Sequence, residues 1–269
     1  MTGRNRGLLR SIILLMSIFL ISCAGKDSLP STTGAEQEQS KEAPVQERSA
    51  ETGKAVFTPI AVSKGLMEDE DPENPAGRLQ ERCGNVSVRI QAGNLIGSGI
   101  IYKSDENMVW IATAAHVLDN AQDPVKITFS DGFATATSSI KRAEEQDVAF
   151  LLVAREALVV DGTDHGENYR CAPVSLEAYD AVQEGDLVIA LGTKSGVGEE
   201  AYAGTLLQDY VLLEDLGVYM MVADVVTKPG MSGGGLFDAK GHLIGILCGV
   251  SEDDEVAAAP LLSLMALEE

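Results

Sequence analysis

Basic residues are scarce in this chain: 20 Lys and Arg face 41 Asp and Glu across 269 residues, a net charge of −21. No basic stripe is available to neutralise phosphates, so nucleic acid is excluded as a partner. The acidity favours solubility and biases the protein mildly toward basic or neutral substrates. Long apolar runs are missing too. The apolar stretch 11–21 is too short to cross a bilayer comfortably. No internal repeat is found, nor any pattern of metal or cofactor ligands. The acidic cluster of Asp69, Glu70, Asp71 and Glu73 is interrupted by Pro72, followed by Pro75, and lacks the spaced oxygens of a calcium loop. No metal and no cofactor is therefore expected. Only three histidines are present, which narrows the choice of general base.

The N-terminus reads as an export signal. Arg4, Arg6 and Arg10 supply the positive start, residues 11–21 the apolar centre, and Leu20-Ile21-Ser22-Cys23 resembles a bacterial lipobox. That resemblance implies a signal peptide over 1–22, lipidation of Cys23, and an extracytoplasmic protein anchored by lipid to a bacterial membrane. Several acyl chains on one cysteine hold far more firmly than a single myristoyl group. Residues 23–82 are rich in Ser, Thr, Glu, Gln and Pro and poor in large apolar side chains, so they are expected to form a tether. Residues 83–269 remain for one globular domain of about 180 residues.

Within that domain, short β-rich runs are separated by Gly, Asn and Asp turns. One set is expected at 86–91, 97–103, 108–113, 125–129, 134–142 and 148–153. A second is expected at 186–191, 201–208, 212–214, 218–222, 234–237 and 242–250. The chemistry sits at three points along these runs. Thr113-Ala114-Ala115-His116 ends one strand, Asp147 opens the apolar run Val148 to Leu152, and Lys228-Pro229-Gly230-Met231-Ser232-Gly233-Gly234 forms a glycine-rich turn. A serine hydroxyl is a weak nucleophile. It needs a base within hydrogen-bond reach, and the base needs a third group to fix its tautomer and stabilise its cation. His116, Asp147 and Ser232 can fill these roles, while the N–H groups of Gly230 and Ser232 can serve as an oxyanion hole. An α/β-hydrolase would need serine, then acid, then histidine, and the only histidine after Ser232 is His242, too close along the chain. His165 and His242 lie in polar or glycine-rich loops and are expected at the surface.

The order His, Asp, Ser and the residues around each resemble the trypsin/chymotrypsin-like serine proteases, in the bacterial Deg-like branch that carries T-A-x-H-V, D-x-A and P-G-N-S-G-G-P. Residues 191–198 are similar to the branch's G-x-P-x-G-L-G segment and 238–246 to its N-x-x-G-x-V-I-G-I strand, so the resemblance spans roughly 84–262. Two positions depart from it: Met231 stands for Asn or Asp, and Gly235 for Pro. The resemblance implies an all-β fold of two six-stranded antiparallel β-barrels (chymotrypsin-like) with a short C-terminal helix over the apolar run 261–267. His116 and Asp147 would come from the first barrel and Ser232 from the second. No PDZ-like segment is expected after the protease domain.

The same resemblance implies a substrate pocket with Val226 at its base and walls from Cys248, Gly249, Val250 and the Ala257-Ala258 region. With no acid at that base, small or medium aliphatic side chains are expected at P1. It also implies a possible disulfide between Cys83 and Cys171, whereas Cys248 is expected to be a small buried apolar group. The function read from these residues is a serine endopeptidase acting on protein or peptide substrates. A catalytically silent relative that binds peptides and an unrelated esterase are the alternatives.

Overall fold

The computed structural model describes residues 74–269 except 84, 120, 122–123, 195–197, 214–216 and 252, so the export signal, Cys23 and the tether up to residue 73 lie outside the described residues. The first element is a helix that the sequence reading did not anticipate, α1 (Pro75–Cys83). Asn74 accepts the Gly77 N–H at 2.9 Å, and Pro75, with no N–H to leave unpaired, opens the first turn. Ala76, Leu79 and Cys83, spaced by three and four, are buried.

Seven strand segments follow: β1 (Ser87–Ala92), β2 (Leu95–Ser104), β3 (Met108–Thr113), β4 (Val125–Thr128), β5 (Ala134–Thr137), β6 (Ile140–Arg142) and β7 (Ala149–Ala154). Their order across the sheet is β5-β4-β1-β2-β3-β7-β6. The two outer segments, β5 and β6, are the halves of the strand expected at 134–142, bent at Ser138-Ser139. The first half pairs with β4 and the second with β7. At the bend Thr137 Oγ1 donates to Leu152 O (2.6 Å) and Leu152 N–H donates to Ser139 O (2.9 Å). One bent stretch thus joins both edges and wraps six strands into a barrel. Val88, Ile90, Ile100, Ile111, Ile127 and Phe150 fill it.

The connector carries a small hairpin, β8 (Val159–Val160) and β9 (Thr163–Asp164), and a short helix, α2 (Leu176–Asp180). The second barrel is built from β10 (Leu187–Thr193), β11 (Glu199–Leu213), β12 (Val218–Asp224), β13 (Gly235–Asp238), β14 (Leu243–Val250) and β15 (Val256–Pro260). It closes in the order β10-β11-β12-β15-β14-β13. Six strands were expected here, but their membership differs. Stretch 201–208 and the described residues 212–213 of the expected 212–214 belong to one strand, β11, which bulges between Leu206 and Gln208 and again before Val211. The sixth place is taken by β15, whose five residues are all buried and therefore show no alternation. The expected C-terminal helix is α3 (Leu261–Glu268), which buries Leu261 and Leu264.

α1 packs on β10 and β11, and Gln80 Nε2 donates to Glu199 O at 2.9 Å. Both carboxylate oxygens of Glu199 are buried there with no hydrogen-bond partner among the described residues. Burial pushes this carboxyl up to about 8. The folded protein therefore keeps a proton that the unfolded chain releases above about 4.5, and stability falls as pH rises from that point to about 8. Glu199→Gln removes this slope, so relative to the parent it gains up to about 4 kcal/mol between pH 5 and pH 8. Urea unfolding of both proteins at the two pH values measures the gain; an equal difference at both would refute the buried neutral acid.

Candidate active site

Thr113 ends β3, and the chain turns at Ala114 (φ −73°, ψ 138°) into one 3₁₀ turn, Ala115–Leu118. Val117 and Leu118 are buried beneath this turn, leaving His116 at the rim with 21% of its side chain exposed. Asp147 sits just before the buried Val148 that leads into β7. Its Oδ1 accepts the backbone N–H of His116 at 2.9 Å, and its Oδ2 lies 2.7 Å from His116 Nδ1. This two-point hold fixes the ring and places the hydrogen on Nδ1, which leaves Nε2 as the acceptor. Behind the pair, Cys248 Sγ donates to Ile246 O (3.2 Å) and faces Asp147 O (3.4 Å). Burial, with the charge of Asp147 added, holds this thiol well above its ordinary pKa, so it is a packed neutral group.

The serine turn is held by its backbone. Met231 N–H donates to Lys228 O (3.0 Å), Gly233 N–H to Leu247 O (2.8 Å) and Gly234 N–H to Met231 O (2.8 Å). Met231 is buried in the second barrel's core, so packing holds the position where relatives of this pattern carry Asn or Asp. Gly230 adopts φ +99° and Gly233 φ +84°, both in the region that favours glycine. Among the described residues neither the N–H of Gly230 nor that of Ser232 has an acceptor. Gly233 presses on the first barrel: a Cβ there would overlap Ser98 O and Thr113 Oγ1 and lie 3.1 Å from Ala114 N. The serine turn thus abuts the segment that carries His116. Ser232 Oγ itself makes no hydrogen bond among the described residues. Such contacts often tighten only once substrate is bound.

A His–Asp contact alone does not mark this site, because all three histidines have one. His165 Nδ1 lies 3.2 Å from Asp131, with its ring stacked on Phe133, and His242 Nδ1 lies 2.9 Å from Asp238. Both are partly exposed, as expected, and only His116 lies on the segment, just past Ala114, that the serine turn abuts.

Of the expected pocket residues, Val226 is half-buried against the cluster that contains Met231, Leu247, Val256 and Ala258. Cys248 turns its side chain toward Asp147, so only its backbone is left to line a pocket. Gly249 and Val250 pair with Ala257 and Val256 of β15, while β13 follows β14 only as far as Ile246. Residues 248–250 therefore have a strand neighbour on one side only. Of the two cysteines expected to pair, Cys83 is buried at the end of α1, while Cys171 is exposed with its thiol at the Ser104 amide. Among the described residues no group of three or more His, Cys, Asp and Glu could hold a metal.

Sequence reasoning missed one residue at the site. Ser98, on β2, is fully buried, and its N–H donates to Ser232 O at 2.8 Å. The signal available was Gly97-Ser98-Gly99, small residues inside an otherwise apolar strand, a pattern that marks close backbone approach.

Known proteins resemble this chain in sequence and fold. A “Probable periplasmic serine endoprotease DegP-like” of Ectopseudomonas mendocina (strain ymp) is 29% identical over 176 residues, 65% of this chain and 31% of that protein. The “Periplasmic serine endoprotease DegP” of Escherichia coli (strain K12) is 26% identical over 166 residues, 61% of this chain and 32% of that protein. The chain thus aligns to about a third of the length of these curated relatives. Among solved structures, an inactive serine-to-alanine mutant of Rv3671c from M. tuberculosis H37Rv superposes with a TM-score of 0.58, covering 76% of this chain and 94% of that one. At 16% identity this is a likeness of fold. The family model described as “Trypsin-like peptidase domain” matches residues 97–246, more than half of the 269 residues, and contains His116, Asp147 and Ser232. The chain belongs to the trypsin-like peptidase family.

Proposed function

We propose that this protein is a Deg-type serine endopeptidase acting outside the cytoplasm, with His116, Asp147 and Ser232 as its catalytic triad. The observation that carries the reading is the two-point hold of His116 by Asp147 beside a serine turn pressed against Ala114. In the first step Ser232 Oγ attacks the scissile carbonyl carbon while His116 Nε2 takes the hydroxyl proton. Asp147 keeps Nδ1–H in place and stabilises the imidazolium. The carbonyl oxygen, now negative, is received by the N–H groups of Gly230 and Ser232. His116 then gives its proton to the leaving amine, the C–N bond breaks, and an acyl-Ser232 ester remains. Water, deprotonated by His116, hydrolyses that ester and restores the serine. The substrate backbone adds alongside 248–250, the stretch of β14 left with one strand neighbour.

Lipidation of Cys23, with the expected tether shortened to the stretch ahead of α1 because 75–83 packs on the second barrel, completes the proposal and holds the enzyme on a membrane's outer face. Periplasmic location in the named relatives supports an extracytoplasmic site. Labelling with a fluorophosphonate, followed by mapping of the adduct, tests the central reading, with the label expected on Ser232. A folded protein that stays unlabelled is the silent peptide-binding relative instead, and turnover of esters without peptides is the esterase.

Val226 sets the expected P1 preference. A cationic side chain entering an apolar pocket loses hydration and gains no counter-ion, whereas Val, Ala or Leu lose only contact with water. Aliphatic P1 substrates should be cleaved faster than matched Arg or Lys substrates, and Val226→Asp should shift the preference toward Arg and Lys. Profiling a peptide library with both proteins measures this. A parent enzyme that cleaves mainly after Arg or Lys has a different pocket base.

A further inference from the structure

We propose that Ser98 is the positioning residue of the oxyanion site, a role that rests on Ser232 being the nucleophile. Ser98 belongs to the first barrel, yet its hydroxyl and its N–H both act on the second. Its Oγ–H donates to Gly230 O at 2.7 Å, and its N–H donates to Ser232 O at 2.8 Å. These two carbonyls belong to the same two residues whose N–H groups have no acceptor among the described residues. The Ser98 Oγ lone pairs accept in turn: Thr193 N–H reaches the oxygen at 2.7 Å, and Thr193 Oγ1 lies 3.0 Å from it. Ser98 O takes the Thr113 hydroxyl at 2.7 Å, which ties the clamp to the end of β3, three residues before His116.

The need for a clamp follows from Gly230. A glycine at φ +99° is the residue best able to turn its peptide away, since no Cβ restricts it. Anchoring its carbonyl removes that freedom, and the Lys228–Met231 turn removes it from the other side. What remains is a Gly230 N–H and a Ser232 N–H held ready before substrate arrives, the preorganisation on which oxyanion stabilisation depends. Ser98 itself is 0% exposed, so its hydroxyl is held by protein partners and not by bulk water.

Ser98→Ala deletes the donor to Gly230 O and the acceptor of Thr193 N–H while leaving its own N–H bond to Ser232 O. Loss of one oxyanion donor typically lowers kcat by about 10²- to 10³-fold, and a donor left mobile should lower it by roughly 10²-fold with KM little changed. A peptide aldehyde, which forms a tetrahedral oxyanion on the serine, should lose affinity by a similar factor. A side chain needed only for folding would leave kcat and aldehyde affinity per folded molecule unchanged. Urea unfolding and far-UV circular dichroism check the folded fraction. If the alanine variant does not fold, Ser98→Cys, similar in size and a weak donor, carries the same expectation. Fluorophosphonate labelling and peptide hydrolysis by the parent protein come first: an inert parent overturns the protease reading and this role together. An active parent whose folded variant keeps kcat and aldehyde affinity within threefold overturns the role of Ser98 alone.

Discussion

Ser232→Ala is expected to lower kcat for peptide hydrolysis by about 10⁶-fold while leaving the fold in place. The side chain supplies the attacking oxygen and no hydrogen bond among the described residues, and the turn around it is held by backbone bonds at Met231, Gly233 and Gly234 that an alanine keeps. His116→Ala should be as damaging, because neither of the other two histidines lies on the segment that the serine turn abuts. Asp147→Asn should be milder, a loss of about 10⁴-fold, since an amide at this position lets the ring take the wrong tautomer. Kinetics on a fluorogenic peptide, with circular dichroism as the check on folding, distinguish these outcomes. Hydrolysis near the parent rate by purified Ser232→Ala removes the proposed triad altogether.

The second large effect is on stability. Gly233→Ala should cost about 3 kcal/mol or more and abolish activity. Two terms contribute: the strain of φ +84° for a residue with a Cβ, and the overlap of that Cβ with Ser98 O and Thr113 Oγ1, which are fixed parts of the barrel interface. Gly132 separates them. It has nearly the same φ, +86°, but nothing lies within 4 Å of a Cβ built there. Gly132→Ala should therefore cost only about 1 kcal/mol. Urea midpoints with m-values give both numbers. Equal costs at the two positions would mean that the serine turn can move away from the first barrel, and the close approach to Ala114 would lose its meaning.

The legible parts of this protein were those where chemistry or alternation leaves a local mark. His116 follows a strand of alternating burial, Asp147 opens an apolar run, and Ser232 lies in a turn with four glycines within three residues. Most strands were read correctly because turns with Gly, Asn and Asp bound them. The failures have physical reasons. The bend at Ser138-Ser139 is set by which neighbours the two halves find, and nothing local announces it. Stretch 256–260 is covered on both faces, so its burial has no period to read. α1 buries only three small or medium apolar side chains inside a polar segment, too few to outweigh the composition around it. Ser98 was overlooked because its partners, Thr193, Gly230 and Ser232, lie roughly a hundred residues away and no spacing rule joins them.

The division of the site between two barrels also orders events in time. A chain synthesised from its N-terminus completes the strands that hold His116 and Asp147 before β13 and β14, which frame the serine turn, have emerged. Docking through Ser98 is possible only after the second barrel has closed. Until then the proposed base has no hydroxyl to deprotonate and the turn has no anchor for Gly230, so the half-made protein would be inert as a protease. On the proposed mechanism, the last folding step is thereby also the step that completes the site.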